Sequence, residues 1–387
     1  MKKPALKAFL SLIFISVSFF AVSAQEQTDS VGTKTEKKNI VTKILDYFKD
    51  SNKEKPRKKF DFSFLGGPHY SSDTGVGLGL VAAGYYRPDL SDTVTVPSMV
   101  SLYGDLSSVG FYLIGIRGYH IFPEDRFRLN YKMYFYSFPS KYWGSGYADG
   151  ARDINESDYK KKEATIAADF QIRLGSHFYI GPCAEFSFIQ AKQVTNPVLW
   201  YGEPFIMRNT GIGFKVSLDT RDNIANAYSG TYLAAELKSF PRGIGNGDYN
   251  FSSYELWANW YRQVWKGGVI ATQLHTRITH GHTPWSQLST IGGSYIMRGY
   301  YEGRYRDKCV ADATVELRQR VWRRNGIVLW GGVGNIFPKF SAYKWSRTLP
   351  NYGIGYRWEF KQRVNVRLDL GFGKGQTGFV FNINEAF

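Results

Sequence analysis

The chain has 387 residues, 49 Lys+Arg against 33 Asp+Glu, and a formal charge of +16. A hydrophobic fraction of 43 % excludes disorder along the whole length. Two cysteines, Cys183 and Cys309, exclude a disulfide framework and a four-ligand zinc site, while 40 Gly, 27 Tyr and 28 Phe favour strands and turns.

Residues 1–24 carry Lys2, Lys3 and Lys7, then an apolar run over 8–22, then the small exit Val22-Ser23-Ala24. This order predicts a secretory signal cleaved after Ala24. Gln25 follows where a lipoprotein would carry Cys. Residues 25–59 form a basic tail with ten Lys/Arg and six Asp/Glu. Within it Ile40, Val41, Ile44, Leu45 and Phe48 share one helical face, predicting a short amphipathic helix over 38–50. That helix is either a solvated tail element, a plug for a barrel, or a segment lying on the membrane.

Beyond the signal no apolar run reaches the roughly 20 residues a membrane helix needs. From Phe60 onward the period is two. Phe127, Leu129, Tyr131, Met133 and Phe135 alternate with Arg126, Arg128, Asn130 and Lys132. Ile166, Ala168, Phe170, Ile172 and Leu174 alternate with Thr165, Asp169, Gln171 and Arg173, and Val364 to Leu370 repeats the pattern. The polar faces carry charges of both signs, and the apolar faces end in Tyr, Phe and Trp, as a lipid-facing band with aromatic girdles would.

Sixteen strands are expected: 60–66, 76–86, 97–105, 109–120, 126–137, 163–174, 178–190, 210–219, 230–240, 251–264, 268–279, 310–322, 326–334, 352–360, 363–372 and 377–387. Connections after strands 6, 10, 12 and 14 of this count are two or three residues, whereas those after strands 5, 7, 11 and 13 are long. Short inner turns alternating with long outer loops predict an all-β, sixteen-stranded antiparallel transmembrane β-barrel over 60–387.

Five segments resemble the BamA/TamA superfamily of outer-membrane assembly and translocation barrels, also called bacterial surface antigens. Leu218-Asp-Thr-Arg-Asp-Asn223 with Gly230 resembles the family's Asp-x-Arg-Asn turn, which singles out Asp219, Arg221, Asp222, Asn223 and Gly230. Ile291-Gly-Gly-Ser-Tyr-Ile-Met-Arg-Gly-Tyr300 resembles its Arg-Gly-Phe/Tyr loop, here Arg298, Gly299 and Tyr300. Val315-Glu-Leu-Arg318 resembles the strand bearing the acidic partner, Glu316. Trp330-Gly-Gly-Val-Gly-Asn335 occupies the place of Phe-x-Asp-x-Gly, with Gly332 where the family has Asp. Arg298 is therefore expected to lack one of two acidic partners. Arg367-Leu-Asp369 with Gly371 precedes a last strand whose Phe379, Phe381, Ile383 and Phe387 are in phase as a C-terminal signal, interrupted by Glu385.

The resemblance implies an outer-membrane protein of a Gram-negative bacterium that inserts proteins into, or moves them across, that membrane without a cofactor. Its implied partners are outer-membrane lipid, lipopolysaccharide and unfolded or exported clients. Residues 25–59 are too short for a POTRA module, so a POTRA-less form is expected, with a periplasmic protein or lipoprotein supplying that role. Arg298 is expected to fold into the lumen against Glu316. Strand one is expected to stop near Gly66-Gly67-Pro68, and Gly371, Gly373 and Gly375 either weaken a seam between first and last strands or merely form a tight hairpin.

The alternative reading is a passive channel for small solutes, and a third is a lipid-modifying surface enzyme. No Gly-x-Ser-x-Gly elbow or phosphate loop supports an enzyme, and the six His (69, 120, 177, 275, 280, 282) are scattered. No metal is expected at His280 and His282. The basic charge is assigned to anionic lipid surfaces rather than nucleic acid.

Overall fold

The computed structural model describes residues 59–71, 75–87, 89, 91 and 95–387, all within one compact unit, Ser51–Phe387. The expected signal, the tail over 25–58 and the 38–50 helix lie outside the described residues. Eighteen strands follow in order: β1 Phe60–Ser71, β2 Gly75–Tyr86, β3 Ser98–Ser107, β4 Tyr112–Ile121, β5 Phe127–Tyr142, β6 Ser157–Leu174, β7 Phe178–Lys192, β8 Ile206–Asp219 and β9 Gly230–Phe240. Then come β10 Asn250–Trp265, β11 Gly268–His282, β12 Ser289–Ile291, β13 Tyr305–Asp307, β14 Cys309–Trp322, β15 Asn325–Phe337, β16 Leu349–Lys361, β17 Val364–Gly373 and β18 Gln376–Ile383.

Sixteen of these form one antiparallel sheet in sequence order, and β12 pairs only with β13, within the connection from β11 to β14. The sheet rolls into a barrel whose sidedness is the reverse of a soluble sandwich. Leu80, Leu102, Ile114, Ile166, Phe214, Leu274, Leu329 and Phe381 point outward and are exposed. Asp169, Gln171, Ser217, Gln273, Glu316, Arg367 and Asp369 alternate with such residues and are buried inside. Apolar side chains facing lipid and polar ones facing a shared interior satisfy a bilayer, where every backbone group must be paired within the ladders.

The interior is held by charge. Lys215 reaches Asp169 (3.0 Å), Lys238 joins Glu185 and Glu236 (2.5 and 2.7 Å), and His275 lies between Asp312 (2.7 Å) and Glu255 (3.1 Å). At the long-loop rim Tyr142, Tyr159, Trp200, Phe240, Phe251 and Trp285 make a buried aromatic cluster. Tyr142 and Trp200 approach to 4.2 Å between ring centroids.

Three elements differ from expectation. Ladders run further towards the long loops, as where β5 reaches Tyr142 and β6 begins at Ser157, because backbone pairing continues past the point where side chains stop alternating. Strand β1 continues to Ser71, with Pro68 opposite Leu78. Among the described residues its one ladder is to β2, so a proline that cannot donate is tolerated on the other edge. The last strand ends at Ile383 rather than 387. Asn384 takes φ +69, and Glu385 turns inward to accept from Arg357 Nε (2.8 Å) and Asn365 Nδ2 (2.6 Å). Phe387 then lies against Tyr261 inside, apart from the exposed Phe379 and Phe381.

Candidate functional site: a lumen-folded loop and its ion pairs

The connection over 283–308 bends back from the β12–β13 hairpin into the lumen. Its tip carries Arg298, of which 1 % is exposed. The guanidinium donates from Nη1 to Asp369 Oδ2 on β17 (2.5 Å) and from Nη2 to Glu316 Oε1 on β14. Its Cζ lies 3.9 Å from the centroid of the Trp330 ring on β15. Two carboxylates and an aromatic face thus surround one cation, the arrangement by which a buried guanidinium is stabilised.

The expectation that Arg298 lacks a second acidic partner is corrected: Asp369 supplies it from β17. The space at Gly332 is closed to a side chain. A Cβ there would lie 2.6 Å from Ala313 O and 2.6 Å from Asn351 Oδ1. Asn351 instead donates to the Arg298 carbonyl (2.9 Å), so it holds the backbone of the residue whose side chain Asp369 neutralises.

Gly299 adopts φ +114, and a Cβ there would come 2.7 Å from the Gly371 carbonyl carbon. The loop backbone therefore lies directly on the β17 backbone, an approach that a side chain would block. A Cβ at Gly373 would meet the Tyr300 ring at 2.5 Å, and one at Gly378 would meet Gly299 Cα at 3.1 Å. The glycines of the last hairpin form a seat for the loop tip. Tyr300 Oη donates to Pro350 O (2.7 Å) and accepts from Lys374 N (2.8 Å), and Tyr301 N donates to Gln376 Oε1 (3.0 Å). Tyr295 extends this brace to both ends of the sheet: its hydroxyl accepts from Arg117 Nη1 on β4 (3.0 Å) and from Asn382 Nδ2 on β18 (3.2 Å).

The ion pairs continue towards the short-turn rim. Arg318 Nε donates to Glu316 Oε2 (2.8 Å), Arg357 Nη1 to Asp369 Oδ1 (2.6 Å), and Arg367 Nη1 to Asp369 Oδ2 (3.1 Å). Glu385 closes the set through Arg357.

The turn residues lie elsewhere, between β8 and β9. Asp219 accepts from Arg221 Nε (2.8 Å) and from Arg128 Nη1 of β5 (3.0 Å). Asp222 Oδ1 accepts from Tyr228 N (2.9 Å) and Ser229 N (3.2 Å), and Asn223 Oδ1 from Ala225 N (2.9 Å) and Asn226 N (3.0 Å). These are turn-building bonds. Gly230, at φ +103, would place a Cβ 2.2 Å from Thr220 O. Arg363, from the β16–β17 turn, binds Asp222 Oδ2 (2.9 Å) and Asn226 O (2.9 Å), and its Cζ stacks 3.5 Å from the Tyr228 centroid. The motif thus ties two distant turns of one rim together, and its turn meets the end of the Arg298 network where Glu385 N donates to Ala225 O (3.5 Å).

Sequence reasoning named Arg298, Gly299, Tyr300 and Glu316, and the structure brings these together. It missed Asp369, Asn351, Trp330 and Tyr295 as members of the site. A signal for Asp369 was present, since Arg367 and Asp369 share the inward phase of an otherwise apolar strand. Among the described residues no group of His, Cys, Asp and Glu could hold a metal ion.

Comparison with known proteins follows the same lines. The sequence profile described as the Omp85 superfamily domain matches residues 120–387. No curated protein matches the sequence. BamA from Haemophilus ducreyi lacking POTRA domains 1-3 is similar in structure, with TM-score 0.54 at 13 % identity over 85 % of this chain and 71 % of that chain. CdiB from Escherichia coli gives TM-score 0.55 at 11 % identity, covering 85 % of this chain and 60 % of that chain. CdiB from Acinetobacter baumannii gives 0.51 at 13 % identity, with coverage of 85 % and 60 %. At these identities the likeness is one of fold.

Proposed function

We propose that this chain, which belongs to the Omp85 superfamily and forms an outer-membrane barrel, inserts proteins into that membrane or moves them across it. The observation that carries the reading is the seam. Among the described residues no ladder joins β18 back to β1. The two ends of the sheet are linked instead by side chains, as where Lys361 Nζ of β16 meets Asp61 Oδ2 of β1 at 2.8 Å. An unladdered strand edge offers a row of donors and acceptors to an incoming strand. In a bilayer such groups are strongly unfavourable until paired, so a client strand that pairs with them gains free energy without nucleotide or cofactor.

The loop tip supports this reading by its position. It is seated on the β17–β18 hairpin and bonded through Tyr295 to β4 and β18, so it braces the wall beside the seam from within. The partners that follow are membrane lipid around the seam and unfolded or exported proteins entering it. The passive-channel alternative is less well supported, because the loop tip with Arg298 lies buried inside the barrel.

The test is a seam crosslink. Cysteine pairs are placed along 60–66 and 377–381 in a background where Cys183 and Cys309 are replaced by Ala. A pair that oxidises efficiently should stop client insertion into proteoliposomes, and reduction should restore it. Full insertion by the oxidised barrel would refute a seam mechanism.

A further inference from the structure

The short-turn rim is charged unevenly. Residues 260–270, across the β10–β11 turn, carry two Lys/Arg and no Asp/Glu, and residues 319–327, across the β14–β15 turn, carry three and none. The two turns are neighbours, because β11 ladders with β14 and Gly268 lies opposite Gln319. At the next turn the cations are neutralised: Lys361 pairs with Asp61 and Arg363 with Asp222. Arg262, Lys266 and Arg323, by contrast, are exposed and join no ion pair among the described residues.

These cations border the membrane side of the wall. Arg262 alternates with the buried Tyr261 and shares the outward face of Trp260 and Val264, both exposed. Trp265 and Trp322, 52 % and 60 % exposed, carry that face to the rim. Trp265 Nε1 donates to Gln319 Oε1 (2.6 Å), so one indole ties the two turns together. The Arg323 and Arg324 Cζ atoms lie 4.9 and 4.8 Å from the centroids of the Trp322 and Trp358 rings. Indoles prefer the membrane–water interface, and guanidiniums stacked on them are held at the level of the lipid phosphates.

We propose that this arc of the rim binds an anionic phospholipid of the periplasmic leaflet, with Arg262, Lys266 and Arg323 around its phosphate. Two observations select that occupant. The cations have no carboxylate of their own, so a headgroup of net negative charge complements them, and one carrying its own ammonium does not. The patch also continues the lipid-facing band, since Leu256, Leu274 and Leu329 are exposed on the outward faces of the same strands. Acyl chains lie along that band, a surface that a soluble partner does not reach. Arg320 supplies an internal contrast: it stands at the same rim but lines the inner cleft with Glu359 and Glu385. The inference goes beyond client insertion. Its strands lie in the body of the sheet, away from both ends, so either reading can fail without the other.

The experiment is native mass spectrometry of the full chain in detergent micelles, titrated with dioleoylphosphatidylglycerol or with dioleoylphosphatidylcholine, which has the same acyl chains. The anionic lipid should bind about tenfold more tightly than the zwitterionic one. Arg262→Gln combined with Arg323→Gln should weaken the anionic lipid about twentyfold, roughly fivefold for each cation, and leave the zwitterionic lipid unchanged. Arg320→Gln removes the same kind of charge from the inner side and should change either lipid by less than about twofold. If the double variant loses the heat-modifiable gel mobility of a folded barrel, Lys266→Gln in the exposed turn carries the test, with a loss of about fivefold. Equal binding of the two lipids by the native chain overturns the proposal, as does undiminished binding of the anionic lipid by the folded variants. An equal loss with Arg320→Gln would also overturn it, in favour of bare net charge. Displacement of the anionic lipid by inorganic phosphate at equal concentration would overturn it in favour of a small-anion site.

Discussion

Arg298 in the loop over 283–308 and Asp369 on β17 lie 71 positions apart and meet at 2.5 Å inside the barrel. The pair fixes the loop tip to the strand before the last, and so to the wall beside the seam. Removing one partner strands a charge where water is scarce, which costs about 3–5 kcal/mol for a buried pair. Arg298→Ala should free the tip, lower the unfolding midpoint and expose 291–304 to protease; Asp369→Asn should lower the midpoint at least as much, since Arg357 and Arg367 lose the same carboxylate. Proteolysis and heat-modifiability assays at matched detergent check both.

Restoring an acid at Gly332 should not rescue Asp369→Asn. The space that its Cβ would need is held by Asn351 Oδ1 and Ala313 O, each 2.6 Å away. Gly332→Asp is therefore expected to destabilise alone, while Gly331→Ala, whose Cβ would meet nothing within 4 Å, should be neutral. Thermal midpoints of the two single variants compare crowding directly with mere loss of a glycine.

Gly299→Ala combines a left-handed φ with a contact into the Gly371 backbone, and should cost about 1–3 kcal/mol. The loop would have to lift from its seat. Loss of the Tyr301–Gln376 bond should then appear as faster amide exchange at Tyr301, measured by hydrogen exchange with mass spectrometry.

Arg363→Gln should loosen the short-turn rim by about 1–2 kcal/mol, from the lost bonds to Asp222 and Asn226 and the lost stacking on Tyr228. Gly230→Ala should cost more, because its Cβ would strike Thr220 O within the same turn. Urea unfolding of the two variants in micelles ranks them, and the order is the prediction.

Deleting 292–303 should open the lumen into which this loop folds. Planar-bilayer recordings should show a larger steady conductance for the deletion than for the full chain. Equal conductance would mean that another element obstructs the path.

Much of the fold was legible in the sequence because alternation is a local property. One residue in, one residue out is written along each strand, and all sixteen barrel strands were found from it. The loop motif was legible too, through Arg298-Gly-Tyr300 and Glu316. The strand ends were not, since Ser157 to Lys162 of β6 pair through backbone groups that ignore side-chain character. Nor was the fate of the last residues: Phe387 keeps the phase of Phe379 and Phe381 yet turns inward, because Glu385 can satisfy Arg357 only from inside.

What the sequence by itself determined was therefore the periodic part, the number of barrel strands and which face of each meets lipid. The tertiary structure alone decided which carboxylate neutralises Arg298, because the curvature of the sheet turns the inner faces of β14 and β17 towards the same point in the lumen. A buried cation selects its partners by distance and desolvation rather than by position along the chain. Gly332 could lose the expected acid because Asp369 stands within reach across the interior, a proximity that no spacing in the sequence encodes.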